Sequence, residues 1–275
     1  MLTGFIYYFF TQDAPEGNFK DLKAAGKFPE VKKAEAGFMA AAKDYRSWVL
    51  FLVYAACFGI ELTVYGTMDS YLQNTFDISR GTAGILVACF ALMNIFARTL
   101  GGVFGDKFGA KGGLEGRVRF LVIIMLIEGL VLTMFSQIQY FPIAIIVLIM
   151  FSLSVQMAEG ATFTVVPFIN KKCIGSVSGI VGAGGNVGAV LAGFLLKSNA
   201  APAATKAIES AKAAGLDENG ILAAKKAAEA SAISGSFMII GISVIVTAFL
   251  ALTIKFNEAT QKEVAAETDA AMALQ

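Results

Sequence analysis

Histidine is absent from the 275 residues, which removes the commonest general base and metal ligand. Cysteine is scarce. Cys57 and Cys89 lie inside apolar runs and Cys173 in a short connection, so they make neither a metal-ligand spacing nor a disulfide framework. Charge is scarce as well: only 16% of residues are charged, and the net charge of +1 carries no basic signature of nucleic-acid binding. These shortages exclude a soluble-type enzyme; no catalytic residue, metal or cofactor is expected.

Apolar residues make up 56% of the chain, and the mean hydropathy is +0.68. They fall in six blocks, residues 47–72, 82–104, 120–138, 141–168, 176–196 and 233–256, each near the roughly 20 residues a spanning helix needs. The expected fold is all-α: six transmembrane helices in a lipid bilayer. "LTGFIYYFF", residues 2–10, is too short to cross, and it lacks the basic start and cleavage site of a signal peptide. It reads as the tail of a preceding transmembrane helix. The expected organisation is that tail at 1–10, a charged cytoplasmic linker at 11–46, a half-bundle at 47–256 with a polar insert at 198–231, and a cytoplasmic tail at 257–275. The insert reads as a helical hairpin turning at 217–220. Such a start implies a piece of a longer protein, or else one product of a split gene.

The short loops set an orientation. Lys107, Lys111, Arg117 and Arg119 follow the second block and Lys171 and Lys172 follow the fourth, whereas the loops between carry only Arg80. By the positive-inside rule the basic loops face the cytoplasm, as do both termini. The setting expected is a bacterial inner membrane.

Three stretches carry chemistry. "GGVFGDKFGAKGG" places Gly102, Gly105, Asp106, Lys107 and Gly109 in what reads as a tight turn, with a carboxylate between lysines to lock two helices by charge. One turn earlier, in "NIFARTLGG", stands Arg98. An arginine inside a span is costly unless it faces a cavity or partner, and its planar guanidinium can hold a small oxyanion by two parallel hydrogen bonds. Snorkelling, or a structural pairing with a carboxylate, explains it equally well. "GIVGAGGNVGAVLAGFLL", residues 179–196, has six glycines and one asparagine in an apolar run. On a helix Gly182 and Asn186 share a face with Gly185 beside them, while Gly184 and Gly188 form a GxxxG pair suited to close helix packing.

The turn resembles the loop signature of the major facilitator superfamily, which follows the second helix of each six-helix half. "AEGATFTVVPFINKKCIGSVSGIVGAGGNVGAVLAGFLL", residues 158–196, resembles the tenth and eleventh helices of the nitrate/nitrite porters in that superfamily, and "GAGGNVGAVLAGF" matches their second nitrate signature. "FARTLGGVFGDKFG" and, less tightly, "CFGIELT" continue the match. The resemblance implies the C-terminal half of a transporter, partnered by an N-terminal six-helix half and carrying nitrate or nitrite. It implies that Arg98 clamps the anion with a symmetry-related arginine of the other half. Gly182, Gly184, Gly185, Asn186 and Gly188 then form a helix that packs and gates beside the substrate. After "ELT" the family commonly has paired asparagines; here Val64, Tyr65 and Gly66 follow.

Phe58, Glu61, Tyr65 and Asp69 lie on one stripe of the first span, and Ser152, Gln156, Glu159 and Phe163 on one face of the fourth. Phe58, Tyr65 and Phe163 are therefore candidate substrate contacts, and Glu61 and Glu159 candidate proton carriers. Glu128 reads as a structural group bonded to a neighbouring helix. Bringing an anion into a cell that is negative inside costs about 2.3 kcal/mol per 100 mV, so uptake needs inward protons or outward nitrite. Two alternatives stay open: a non-transporting half that binds a partner through its glycine-rich face, and a facilitator for another small anion.

Overall fold

The structure, a computed structural model, describes residues 2–14, 16–27, 37–258, 260, 261 and 264. It forms two units, Met1–Glu35 and Ala36–Gln275. In the first, helix α1 (Leu2–Phe10) exposes Phe5, Tyr7, Tyr8, Phe9 and Phe10, and a short α2 (Phe19–Ala24) follows a turn in which Asp13 accepts from the Phe19 amide. The linker expected at 11–46 lies outside the described residues at 15 and 28–36, and so does most of the tail expected at 257–275.

Apart from short connections, the described residues of the second unit are helical: α3 (Phe38–Lys43), α4 (Tyr45–Phe76), α5 (Arg80–Leu92), α6 (Asn94–Phe135), α7 (Phe141–Phe163), α8 (Ile174–Ala213) and α9 (Glu218–Ala251). Five runs are long and apolar enough to cross a membrane. The run from Arg80 to Phe135 has 56 residues, which would reach about 84 Å if straight, far beyond a hydrocarbon core of ~30 Å. It folds back at Gly112 and Gly113, where Gly113 takes φ 61°, a conformation that glycine adopts without strain. Past the turn Phe120 packs on Phe104 and Phe108, and Arg117 pairs with Asp106. Each limb is long enough to cross by itself, so the described residues of the unit offer six candidate crossings.

Three boundaries differ from the sequence reading. Gly102, Gly105, Asp106, Lys107 and Gly109 are helical, and the reversal waits for the glycine pair that follows them. Asp106 is held across the hairpin by Arg117, while Lys107 rests over the Phe104 ring at 5.4 Å. The insert at 198–231 is a helical hairpin formed by the continuous ends of α8 and α9, but its turn comes earlier than 217–220: α8 stops at Ala213, Gly215 takes φ 72°, and Asp217 caps α9 by accepting from the Gly220 amide at 2.9 Å. The fourth crossing ends as an α-helix at Phe163, and Val166–Phe168 is a 3-10 turn built around Pro167.

Lipid offers no hydrophobic force between helices, so close packing must hold the bundle. The glycine-rich part of α8 lies backbone to backbone on α4. A methyl group at Gly188 would sit 2.7 Å from Ala55 Cα, and one at Gly184 3.0 Å from Phe51 Cα. From the other side, one at Gly59 would meet the Ala189 nitrogen at 2.6 Å. At the end of the bundle that holds the Gly112–Gly113 turn, Tyr45 Oη donates to the Thr253 carbonyl at 2.9 Å, and Arg46 Nη2 donates to the Ile169 carbonyl at 2.9 Å. Asp44 orients Arg46. Burial opposes the ionisation of Asp44, but hydrogen bonds from Arg46 outweigh it and hold the carboxyl below its ordinary range.

Gly182 differs from its neighbours, since a methyl group there meets nothing within 4 Å. Gly184→Ala and Gly188→Ala should each cost about 1–3 kcal/mol by overpacking. Gly182→Ala should be neutral or add up to ~1 kcal/mol of helix propensity. Thermal unfolding in detergent measures all three; equal shifts would mean that the backbone contact does not hold α4 to α8.

Candidate functional site

Glu61 stands midway along α4, and Glu159 and Arg98 face it from α7 and α6. Glycines make the meeting possible. A methyl group at Gly101 would lie 2.7 Å from Met157 Cα, and one at Gly160 3.0 Å from the Arg98 carbonyl carbon, so α6 and α7 touch through their backbones on either side of the pair. Arg98 Nη2 donates to Glu159 Oε2 and lies 3.6 Å from Glu61 Oε2. Both carboxyl groups are buried, whereas 38% of the Arg98 side chain remains exposed.

Amides complete the cluster. Asn94 Nδ2 and Gln156 Nε2 each donate to Glu61 Oε1 at 3.2 Å. Gln156 also reaches the Phe90 carbonyl at 3.2 Å and Ser152 Oγ at 3.3 Å, and Ser152 donates to the same carbonyl at 3.1 Å. The Arg98 guanidinium lies 5.7 Å from the centre of the Phe58 ring, a cation–π contact. Phe58 stacks on Tyr54 at 5.1 Å, and Tyr54 meets Phe163 edge-on at 5.3 Å. Gly185 of α8 backs this aromatic pair; a methyl group there would come within 3.1 Å of the Tyr54 ring. A cavity of about 190 Å³ opens beside the cluster, lined by Phe58, Glu61, Leu62, Tyr65, Ala91 and Asn94.

Several candidates thus converge: Arg98, Glu61, Glu159 and Phe58 are in contact, Tyr65 borders the adjoining cavity, and Gly185 supports the ring beneath Arg98. Phe163 is exposed at the end of α7 and touches the cluster only through Tyr54. Gly184 and Gly188 are packing positions against α4. Asn186 is exposed and its amide turns back to the Gly182 carbonyl at 3.4 Å, so neither residue joins the cluster. Glu128 departs from its expected role: it is fully buried, and neither carboxyl oxygen has a hydrogen-bond partner among the described residues.

Asn94, Gln156 and Tyr54 belong to the site without having been singled out for it. The signal was helical spacing. Asn94 precedes Arg98 by four residues and Gln156 precedes Glu159 by three, so each shares a helix face with one charge of the cluster while its amide donates to Glu61 on another helix. Polar side chains at such depth are expected to face one another or a cavity.

Helices that cross the membrane several times around an ion-paired polar cluster at mid-depth define an all-α, integral multi-pass membrane protein. The chain belongs to the major facilitator superfamily: the sequence profile described as Major Facilitator Superfamily matches residues 1–193 and 49–273. It is similar to the High affinity nitrate transporter 2.5 of Arabidopsis thaliana, with 40% identity over 192 residues, covering 69% of this chain and 38% of that protein. Nitrate transporter 2.2 of Chlamydomonas reinhardtii is 37% identical over 181 residues, 65% of this chain and 35% of the relative. The Nitrate/nitrite transporter NrtP of Picosynechococcus is 36% identical over 146 residues, covering 52% and 26% respectively. The chain spans between about a quarter and two fifths of the length of these relatives. No solved structure matches.

The asymmetry in burial makes a prediction about the pair. Arg98→Gln strands the fully buried Glu159 and should cost about 3 kcal/mol or more. Glu159→Gln leaves a guanidinium that still reaches Glu61 and should cost less. The double variant should recover part of the larger loss. Additive losses in thermal unfolding would show that the two side chains are not coupled.

Proposed function

We propose that this chain forms the C-terminal half of a nitrate/nitrite transporter, in which Arg98 holds the anion and Glu61 and Glu159 carry the coupling protons. The observation that carries the reading is the state of Arg98. It engages both carboxylates through Nη2 alone, its buried Nε has no partner among the described residues, and part of the side chain remains exposed. The names of the similar proteins supply the substrate class, and the planar fork of arginine suits a planar oxyanion.

Charge arithmetic then links the anion to protons. With both carboxylates ionised, the Arg98–Glu61–Glu159 cluster has a charge of +1 − 2 = −1 and repels an anion. Protonation of one makes it neutral, and protonation of both frees the guanidinium with its full charge. Nitrate binding and proton binding therefore favour each other, as a symporter requires. Protons entering with the anion also offset the membrane-potential cost of its entry. Tyr65 and Phe58 form the wall of the site, and Gly185 lets α8 close on it.

The other wall belongs to an N-terminal six-helix half, since facilitator substrates bind at the interface of repeats. That half supplies the second arginine, as the resemblance to nitrate/nitrite porters implies. Lys107, Lys111, Arg117, Arg119 and Lys172 lie near the end of the bundle that holds the α6 turn, and the positive-inside rule supports a cytoplasmic assignment of this end.

Uptake by the complete transporter in proteoliposomes tests the reading. Arg98→Lys keeps the charge but loses the fork, and should lower nitrate uptake about tenfold or more. Glu61→Gln and Glu159→Gln should abolish accumulation driven by an acid-outside gradient while nitrate still equilibrates down its own gradient. Wild-type uptake by Arg98→Lys, or intact proton-driven accumulation by both glutamine variants, would refute it.

A further inference from the structure

A cavity of about 550 Å³ lies at the end of the bundle opposite the Gly112–Gly113 turn, between the end of α4, the connection after α6, and α9. Tyr71 is ten residues beyond Glu61 on α4, roughly 15 Å along the helix axis, so this space is separate from the Arg98 cluster. No charged residue lines it. Its walls carry hydroxyls and amides, of which Gln139 and Ser231 are exposed, Asn74 is half-exposed and one hydroxyl is buried without a partner. Thr75 Oγ1 is buried without a hydrogen bond, and Asn74, Gln139 and Ser231 line the cavity with no side-chain hydrogen bond among the described residues. One wall is fixed: Ser234 Oγ donates to the Ser136 carbonyl and stands 3.3 Å from Tyr71 Oη.

Such a site selects its ligand by chemistry. An ion would enter without a counter-charge, which is unfavourable in a confined space. Amides and hydroxyls that both donate and accept match a ligand whose own groups do both, which describes neighbouring hydroxyls on a saccharide. The face of α9 that borders the cavity indicates what is attached to that saccharide. Ser231 and Gly235 line the cavity, and Ile239, Ile242, Val246 and Phe249 continue the same face along the helix. These four are 46%, 49%, 63% and 55% exposed. A polar recess thus leads directly into an open apolar stripe, the form of an amphiphile.

We propose that this cavity holds the saccharide headgroup of a neutral glycolipid whose acyl chains lie along the exposed stripe of α9. The site is independent of the transport reading, since it shares no residue with the Arg98 cluster. Gly235 lines the cavity and is open, with nothing within 4 Å of a methyl group placed on it, so Gly235→Leu adds a side chain that occupies the recess. Asn74→Ala combined with Gln139→Ala removes the amides and leaves the space.

The test is native mass spectrometry of the protein purified from membranes in a polyoxyethylene detergent, which carries no sugar. Digalactosyl diacylglycerol and phosphatidylglycerol with identical acyl chains are titrated in. The wild type should retain the glycolipid about tenfold more tightly, the effect of one or two additional hydrogen bonds. Both variants should lose that preference while retaining phosphatidylglycerol at the wild-type level, which also reports that they are folded. Equal retention of the two lipids by the wild type, or a preference that survives in both variants, would overturn the proposal. Competition by methyl digalactoside as effective as that of the glycolipid would overturn the lipid assignment in favour of a soluble saccharide.

Discussion

The direct contact between the backbones of α6 and α7 is the constraint from which the site follows. Gly101 and Gly160 let the two helices meet, with Arg98 and Glu159 beside the contact. Bulkier residues would hold these side chains apart and leave a buried carboxylate with no cation. In lipid that arrangement is strongly unfavourable. The small residues and the charges therefore depend on each other: the charges need the approach, and the approach is worth keeping for the pair it creates. The contact of Gly184 and Gly188 with α4 does the same for the aromatic wall, bringing Gly185 against Tyr54 and Phe58 under the guanidinium.

The crossings were legible in the sequence because apolar runs of the right length have few other uses. Their ends were less so. Hydropathy falls after residue 104 and after 196, yet α6 continues to the glycine pair and α8 to Ala213. Alanine, lysine and glutamate are good helix formers outside the membrane as well as within it. Loss of hydropathy marks where a helix leaves lipid, and only Gly113 and Gly215, at positive φ, mark where the helix stops.

The site was legible in part. Arg98 stood out because a charge in a span demands a reason, and the stripes of α4 and α7 placed Glu61 and Glu159 on inward faces. Which carboxylates it meets depends on the depth of α4 against α7, and that is set by glycine contacts between residues distant in sequence. The glycine helix held two overlapping patterns. Gly184 and Gly188 serve packing, while Gly182 and Asn186 occupy an open face, and composition alone does not separate them. Glu128 is the reverse case, a buried acid whose lack of partners no local pattern reveals.

In the proposed function, a cluster that holds its arginine with two carboxylates is closed to anions until protons arrive, and the coupling rests on that exclusion. Proton uptake on nitrate binding tests it most directly. Calorimetric titration of the complete transporter at neutral pH, in two buffers of different ionisation enthalpy, gives the number of protons bound with each anion. Net uptake of protons together with nitrate is the predicted result. Nitrate that binds with no change in bound protons would contradict the account.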